Sequence, residues 1–232
     1  MREFLFKVAK SDISGDFVGF AFENLSSIMP VDRIVNTHKT IVFRHPVAQW
    51  QVHFLAVPKK GFKSLSSLNL EKSDNVDQIR DLLKSIQQAA DKENVDKYAI
   101  LLNGGKYQDV PQLHFHIISG ISKEGIEPLY LQYYKGTDSK TISENTNIVT
   151  KDESGHFREF HVAISSPKIL GNIQMLDLSE SNTLLTVSDM LTEAQKVVDR
   201  QKLTQYTLLS VCQPENTGLP FTIHLVSGKS TN

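Results

Sequence analysis

The sequence contains a single cysteine, Cys212, so neither a disulfide framework nor a cysteine-built zinc site can form within the chain. Cys212 is expected to be a small buried apolar residue. No run of about 18 apolar residues occurs, which argues against a transmembrane helix. The opening Met1-Arg2-Glu3-Phe4-Leu5-Phe6-Lys7 is too short and too charged for a secretory signal, and a cytoplasmic protein is expected. Charge of neither sign dominates: 25 Lys and Arg against 26 Asp and Glu leave a net charge of −1. A protein that coats nucleic acid would usually be basic, so no nucleic-acid partner is expected. Nor is there a P-loop, because Gly104-Gly105 is followed by Lys106-Tyr107 rather than Lys-Ser or Lys-Thr.

What is present is ordinary for a globular protein. The 232 residues are 40% apolar and 22% charged, enough for one large domain or two small ones with a real core. Phe4-Leu5-Phe6 and Phe17-Val18-Gly19-Phe20-Ala21-Phe22 suit a strand or a short helix. Residues 33–36 and 40–44 read as strands joined by a turn at Asn36-Thr37-His38-Lys39. His53–Pro58 reads as a strand ended by Pro58 and a Lys59-Lys60-Gly61 turn. Ser73 or Asp74 can cap a helix with Val76, Ile79, Leu82, Leu83, Ile86 and Ala90 on one face. Tyr98–Leu102 is a buried strand, followed by a loop at Asn103-Gly104-Gly105. Ile126–Tyr134 reads as a strand, and Gly136–Asn147, rich in Ser, Thr, Asn and Lys, as an exposed linker.

The stretch with the most chemistry is Pro111-Gln112-Leu113-His114-Phe115-His116-Ile117-Ile118-Ser119. With a period of two it is a strand, with Leu113, Phe115 and Ile117 on one face and Gln112, His114 and His116 on the other. Two imidazoles on one face admit three readings. One is a polar sheet face. Another is a metal site needing a third ligand. The last is covalent catalysis, in which a neutral imidazole attacks phosphorus while its neighbours hold phosphate oxygens.

The last third repeats the first half. Shifting the numbering by 108 lays residues 73–120 on 181–228 without a gap. Gln87 meets Gln195, Leu101 meets Leu209, His116 meets His224, and His53 meets His161. A second helix follows, with Leu184, Val187, Met190, Leu191, Ala194 and Val198 on its face, then strands at 206–209 and 221–226. Duplication is the better reading of this agreement. The copies differ where chemistry is expected: His114 is matched by Thr222, Gln112 by Pro220, Asn103 by Val211 and Gln108 by Asn216.

These residues resemble the histidine triad superfamily, whose motif is His-φ-His-φ-His-φ-φ with φ apolar. The match is Gln112-Leu113-His114-Phe115-His116-Ile117-Ile118, preceded by Ile28-Met29-Pro30, Ile34-Val35, Phe43 and His53-Phe54-Leu55-Ala56-Val57-Pro58-Lys59-Lys60. The doubled arrangement resembles the galactose-1-phosphate uridylyltransferase and dinucleoside polyphosphate phosphorylase branch. The resemblance implies an α+β chain of two halves, each an antiparallel sheet with a packed helix, arranged as an intramolecular pseudo-dimer. Residues 1–120 would carry the site, 121–147 would connect, and 148–232 would be a degenerate second copy. A further homodimer is compatible with this plan.

The resemblance also implies roles. His114 would attack the α-phosphorus of a nucleotide ester or anhydride, forming a nucleotidyl-imidazole that passes to water or another acceptor. His116 would bind phosphate oxygens, and Gln112 stands at the position of the first triad histidine. His53 would buttress the cluster, Gln108 would contact the scissile region, and Asn103 would serve the phosphate or ribose. Phe43, Arg44 and His45 would contribute to substrate binding, with His45 where the family commonly has an acid. The implied ligand is a nucleotide or sugar nucleotide, and the scheme requires no cofactor and no metal. Two alternatives accompany it: a non-catalytic nucleotide or phosphate-ligand binder, and a metal-dependent hydrolase using His53, His114 and His116.

Overall fold

The computed structural model of the chain describes residues 31–125, 139–141, 148–152, 159–215 and 217–228. The patches in residues 1–28, Ile28-Met29-Pro30 and the strand expected at Ile126–Tyr134 lie outside the described residues.

The described elements are β1 (Arg33–Asn36), β2 (Thr40–Arg44), β3 (Trp50–Pro58), α1 (Ser73–Lys92), β4 (Tyr98–Gly105), β5 (Phe115–Ser122), β6 (Ser139–Thr141), β7 (Ile148–Asp152), β8 (Phe160–Leu170), α2 (Ser181–Gln201), β9 (Gln205–Cys212) and β10 (Pro220–Ser227). Ten strands form one antiparallel sheet in the order β1-β2-β3-β5-β4-β9-β10-β8-β7-β6. The fold is α+β. Among the described residues no helix is long and apolar enough to cross a membrane.

Alternation along the strands sorts side chains between two faces. Phe54, Ala56, Ile100, Leu102, Phe115 and Ile117 join the large core that includes Ile79, Leu82, Leu83 and Ile86 of α1. Met190, Leu191 and Ala194 of α2 belong to the same core. Each large side chain fully buried in this way contributes about 1.5–3 kcal/mol. The opposite face carries two smaller clusters, one of Ala99, Ile118, Leu209 and Val211 with Trp50 packed on it. The other consists of Ile41, Phe43, Leu55 and Val57.

The helices bury the expected positions except Val76, which is half-buried. Neither Ser73 nor Asp74 caps α1; its N-cap is Lys72, with no side-chain hydrogen bond, and the helix gains its stability from its buried face. The histidine strand begins at Phe115 rather than Pro111, because the preceding main chain is bonded elsewhere. The Gln112 N–H donates to Val110 O, and the Leu113 N–H donates to Phe62 O. Asn103-Gly104-Gly105 extends β4 instead of forming a loop, since these residues pair with Thr207, Tyr206 and Gln205 of β9. Part of the expected linker, Ser139–Thr141, is strand β6, and residue 120 falls inside β5.

The halves meet along β4 and β9, and their contacts obey the 108-residue shift. Leu101 pairs directly with Leu209, its own counterpart. The Gln87 amide donates to Ile173 O and Leu176 O at 2.7 and 3.0 Å. The Gln195 amide donates to Leu65 O and Leu68 O at 2.7 and 2.8 Å. Each helix thus clamps the short 3₁₀ turn of the other half, at Ile173–Met175 and Leu65–Ser67.

Candidate functional site: an imidazole cluster on β3 and β5

Cross-strand register builds the cluster. His116 of β5 lies opposite Leu55 of β3 and Leu101 of β4. His53, two residues before Leu55, therefore shares its face. Beyond β2, the His45 N–H donates to His53 O. The His45 ring stacks on that of His53, with centroids 4.1 Å apart. His114 stands edge-on to His116 at 4.9 Å. His114 is 9% exposed and His53 8%, while His45 and His116 are half-buried.

Hydrogen bonds fix the protons. The Gln49 main-chain N–H donates to His53 Nδ1 at 3.2 Å, so His53 carries its proton on Nε2. His53 Nε2–H then donates to His116 Nδ1 at 2.9 Å. A neutral His116 must hold its proton on Nε2, leaving an N–H donor at the far end of this chain. His114 is oriented the other way. Its Nδ1–H donates to the Gln112 main-chain carbonyl at 2.7 Å, which leaves the Nε2 lone pair available. A nucleophilic nitrogen and a donor N–H thus sit on adjacent rings.

All three rings are held neutral. Burial, with His45 and His114 nearby, lowers the His53 pKa to about 3. Burial, then His114, His53 and His45, lowers that of His116 to about 2. Burial also lowers the His114 pKa, opposed by its bond to the Gln112 carbonyl and by the charge of Asp109.

Other expected site residues are placed differently. The Gln112 side chain is buried, and its amide donates to Pro58 O and Lys60 O, so its contact with His114 is through the main chain. The Gln108 amide donates to Lys63 O and Val110 O, which commits both its N–H groups to the loop. Arg44 pairs with Asp32 and Glu93 and lies over Phe54, on the helix side of the sheet. Phe43 is buried among Ile41, Leu55 and Val57. Asn103 is on the histidine face, two residues beyond Leu101, the partner of His116. Its Oδ1 accepts from Thr207 Oγ1 at 2.8 Å.

Residues 21–127 match a family model described as scavenger mRNA decapping enzyme C-term binding. The whole fold is similar to a GalT-like protein from Arabidopsis thaliana, with a TM-score of 0.60 and 10% identity over 91% of this chain and 82% of that one. It is equally similar to an ADP-glucose phosphorylase from the same plant, solved with bound ADP-glucose, at a TM-score of 0.60 and 10% identity over 91% and 80%. In its fold and in this matched segment, a little under half of its length, the chain resembles the histidine triad superfamily. Its two halves match the duplicated halves of the GalT-like fold.

Among the described residues, the group of imidazoles close enough to share a cation is His45, His53 and His116, whose nitrogens lie within 4.8 Å of one another. His114 is not in that group, contrary to the set expected from sequence. A neutral imidazole ligates through one nitrogen and keeps a proton on the other. At His45 and His53 the Nδ1 lone pair already accepts a main-chain N–H, from Val47 and Gln49 respectively. Coordination through Nε2 would leave those rings with no proton, so these main-chain bonds compete with cation binding at the cluster.

Gln49, Asp109 and Thr207 act on the site and were not legible as site residues. Gln49 acts through its main chain, which no residue type reveals. Asp109 lies in a loop five residues before His114, and Thr207 arrives from the second half.

Proposed function

We propose that the chain is a nucleotidyl hydrolase or transferase in which His114 attacks phosphorus. The observation that carries this reading is the opposed proton placement on adjacent rings: a lone pair on His114 Nε2 beside a donor on His116 Nε2. In the first displacement the His114 Nε2–P bond forms and the bond from phosphorus to the leaving oxygen breaks. His116 Nε2–H donates to a phosphoryl oxygen, where negative charge accumulates. The imidazolium formed on His114 is stabilised by the Gln112 carbonyl at Nδ1–H and by Asp109. Water or another acceptor then displaces the imidazole and restores it. Splitting one hard displacement into two easier ones is the usual gain from a covalent nucleophile.

The substrate class is a nucleotide phosphoester or phosphoanhydride, sugar nucleotides included, in keeping with the ADP-glucose bound to one structural relative. The active half is the first, and the second is a degenerate copy within an intramolecular pseudo-dimer. Incubation with α-³²P-labelled ATP, ADP-glucose and dinucleoside polyphosphates tests this. The expected result is an acid-labile, alkali-stable label on the protein that His114→Ala loses. Binding of these ligands with neither label nor turnover would favour the non-catalytic binder instead.

A further inference from the structure

The second half lacks a counterpart of His114, yet it grips the end of β4 and the two residues that follow it. The Lys106 N–H donates to Thr204 O at 2.9 Å. The Gly228 N–H donates to the Tyr107 hydroxyl at 3.2 Å. A Cβ on Gly104 would lie 2.1 Å from the Tyr206 ring, so glycine there permits a close approach of β9. At the centre of this junction Thr207 Oγ1 donates to Asn103 Oδ1.

We propose that Thr207, from the second half, is a positioning residue for the first-half site, holding the Asn103 amide so that its NH₂ points at the phosphoryl group under attack. The inference rests on the phosphoryl-transfer reading of His114. An asparagine amide has one acceptor and two donors at opposite ends. Fixing Oδ1 on the β9 side turns Nδ2 away from β9, and Asn103 shares its sheet face with Leu101, the partner of His116 on β5. The Nδ2 hydrogens then join His116 Nε2–H as donors to the non-bridging oxygens. The degenerate half thus contributes orientation to a site whose nucleophile lies wholly in the other half.

The test compares Thr207→Val, which keeps the β-branched shape and deletes the hydroxyl, with Thr207→Ser, which keeps the hydroxyl. Thr207→Val should lower kcat about tenfold with KM changed less than about twofold, and Thr207→Ser should stay within about twofold of wild type in both. Equal kcat for Thr207→Val and wild type overturns the proposal. So does equal impairment of the two variants, which would mark Thr207 as structural. A second readout does not depend on turnover: the ¹⁵N side-chain amide signal of Asn103 titrated with AMP. Wild type and Thr207→Ser should shift, and Thr207→Val should not. A chain that turns over no nucleotide but shows this pattern retains Thr207 as a positioning residue while losing the catalytic reading. No AMP-dependent shift of Asn103 in wild type overturns the proposal.

Discussion

The two halves carry the same imidazole pair. His53 and His116 are joined at 2.9 Å, and their counterparts His161 and His224 at 3.0 Å. Both pairs have ring centroids 5.2 Å apart. Even the acceptor beside the nucleophile position recurs: His114 Nδ1–H donates to Gln112 O, and Thr222 Oγ1 donates to Pro220 O, its 108-shifted equivalent. A histidine pair of this kind therefore does not by itself distinguish the half proposed to be active. Of the positions that differ, the one at His114 and Thr222 changes what this carbonyl holds. In the first half the carbonyl holds an imidazole whose second nitrogen keeps a lone pair. In the second it holds a hydroxyl, which also bonds Ser165.

Making the first half resemble the second gives the largest effect. His114→Thr should lower nucleotidyl transfer by about a thousandfold or more, because a threonine hydroxyl cannot replace a neutral imidazole as nucleophile. Its thermal unfolding should stay close to wild type. Initial rates with melting curves check both statements.

Breaking the two pairs separates rate from stability. His116→Leu and His224→Leu should each cost about 1–3 kcal/mol, the penalty for stranding a buried polar partner. His116→Leu should also slow turnover about a hundredfold, whereas His224→Leu should leave the rate within about threefold of wild type. Urea unfolding read beside kcat distinguishes them, and equal rate losses would erase the asymmetry between halves.

Acid should weaken the fold through the first-half pair. His53 and His116 are depressed in the folded chain to about 3 and about 2, against about 6.5 when unfolded. Below about pH 6.5 the unfolded chain binds more protons than the folded one, so stability present at neutral pH is lost as pH falls toward 3. The slope is at most about 1.4 kcal/mol per pH unit for each ring. Unfolding free energies across this window should show a shallower slope in His53→Phe.

The smallest effects are the mutual clamps. Gln87→Leu and Gln195→Leu each remove two hydrogen bonds to main-chain carbonyls of the other half. Each should cost about 1–2 kcal/mol, equal within a few tenths. Unequal costs would show that the halves do not share their junction evenly.

Much of this was legible in the sequence, and the exceptions share a cause. Both helices, the short strands β1 and β2 and the histidine face of β5 follow from local periodicity. The 108-residue shift correctly paired elements that lie far apart in the chain. What stayed hidden depends on partners distant in sequence. Asn103–Gly105 resembles a loop until β9 supplies its hydrogen bonds. Gln112 and Gln108 look like pocket amides until loop carbonyls claim them. Arg44 faces the helix side because it follows Phe43 by one residue on β2, and Glu93 lies there to meet it.

The stereochemical course at phosphorus tests the central claim most directly. A substrate carrying a chiral α-phosphorothioate should react with net retention, since displacement by His114 and then by the acceptor inverts the centre twice. Net inversion would mean that the acceptor attacks phosphorus in a single step, and His114 would then not be the nucleophile.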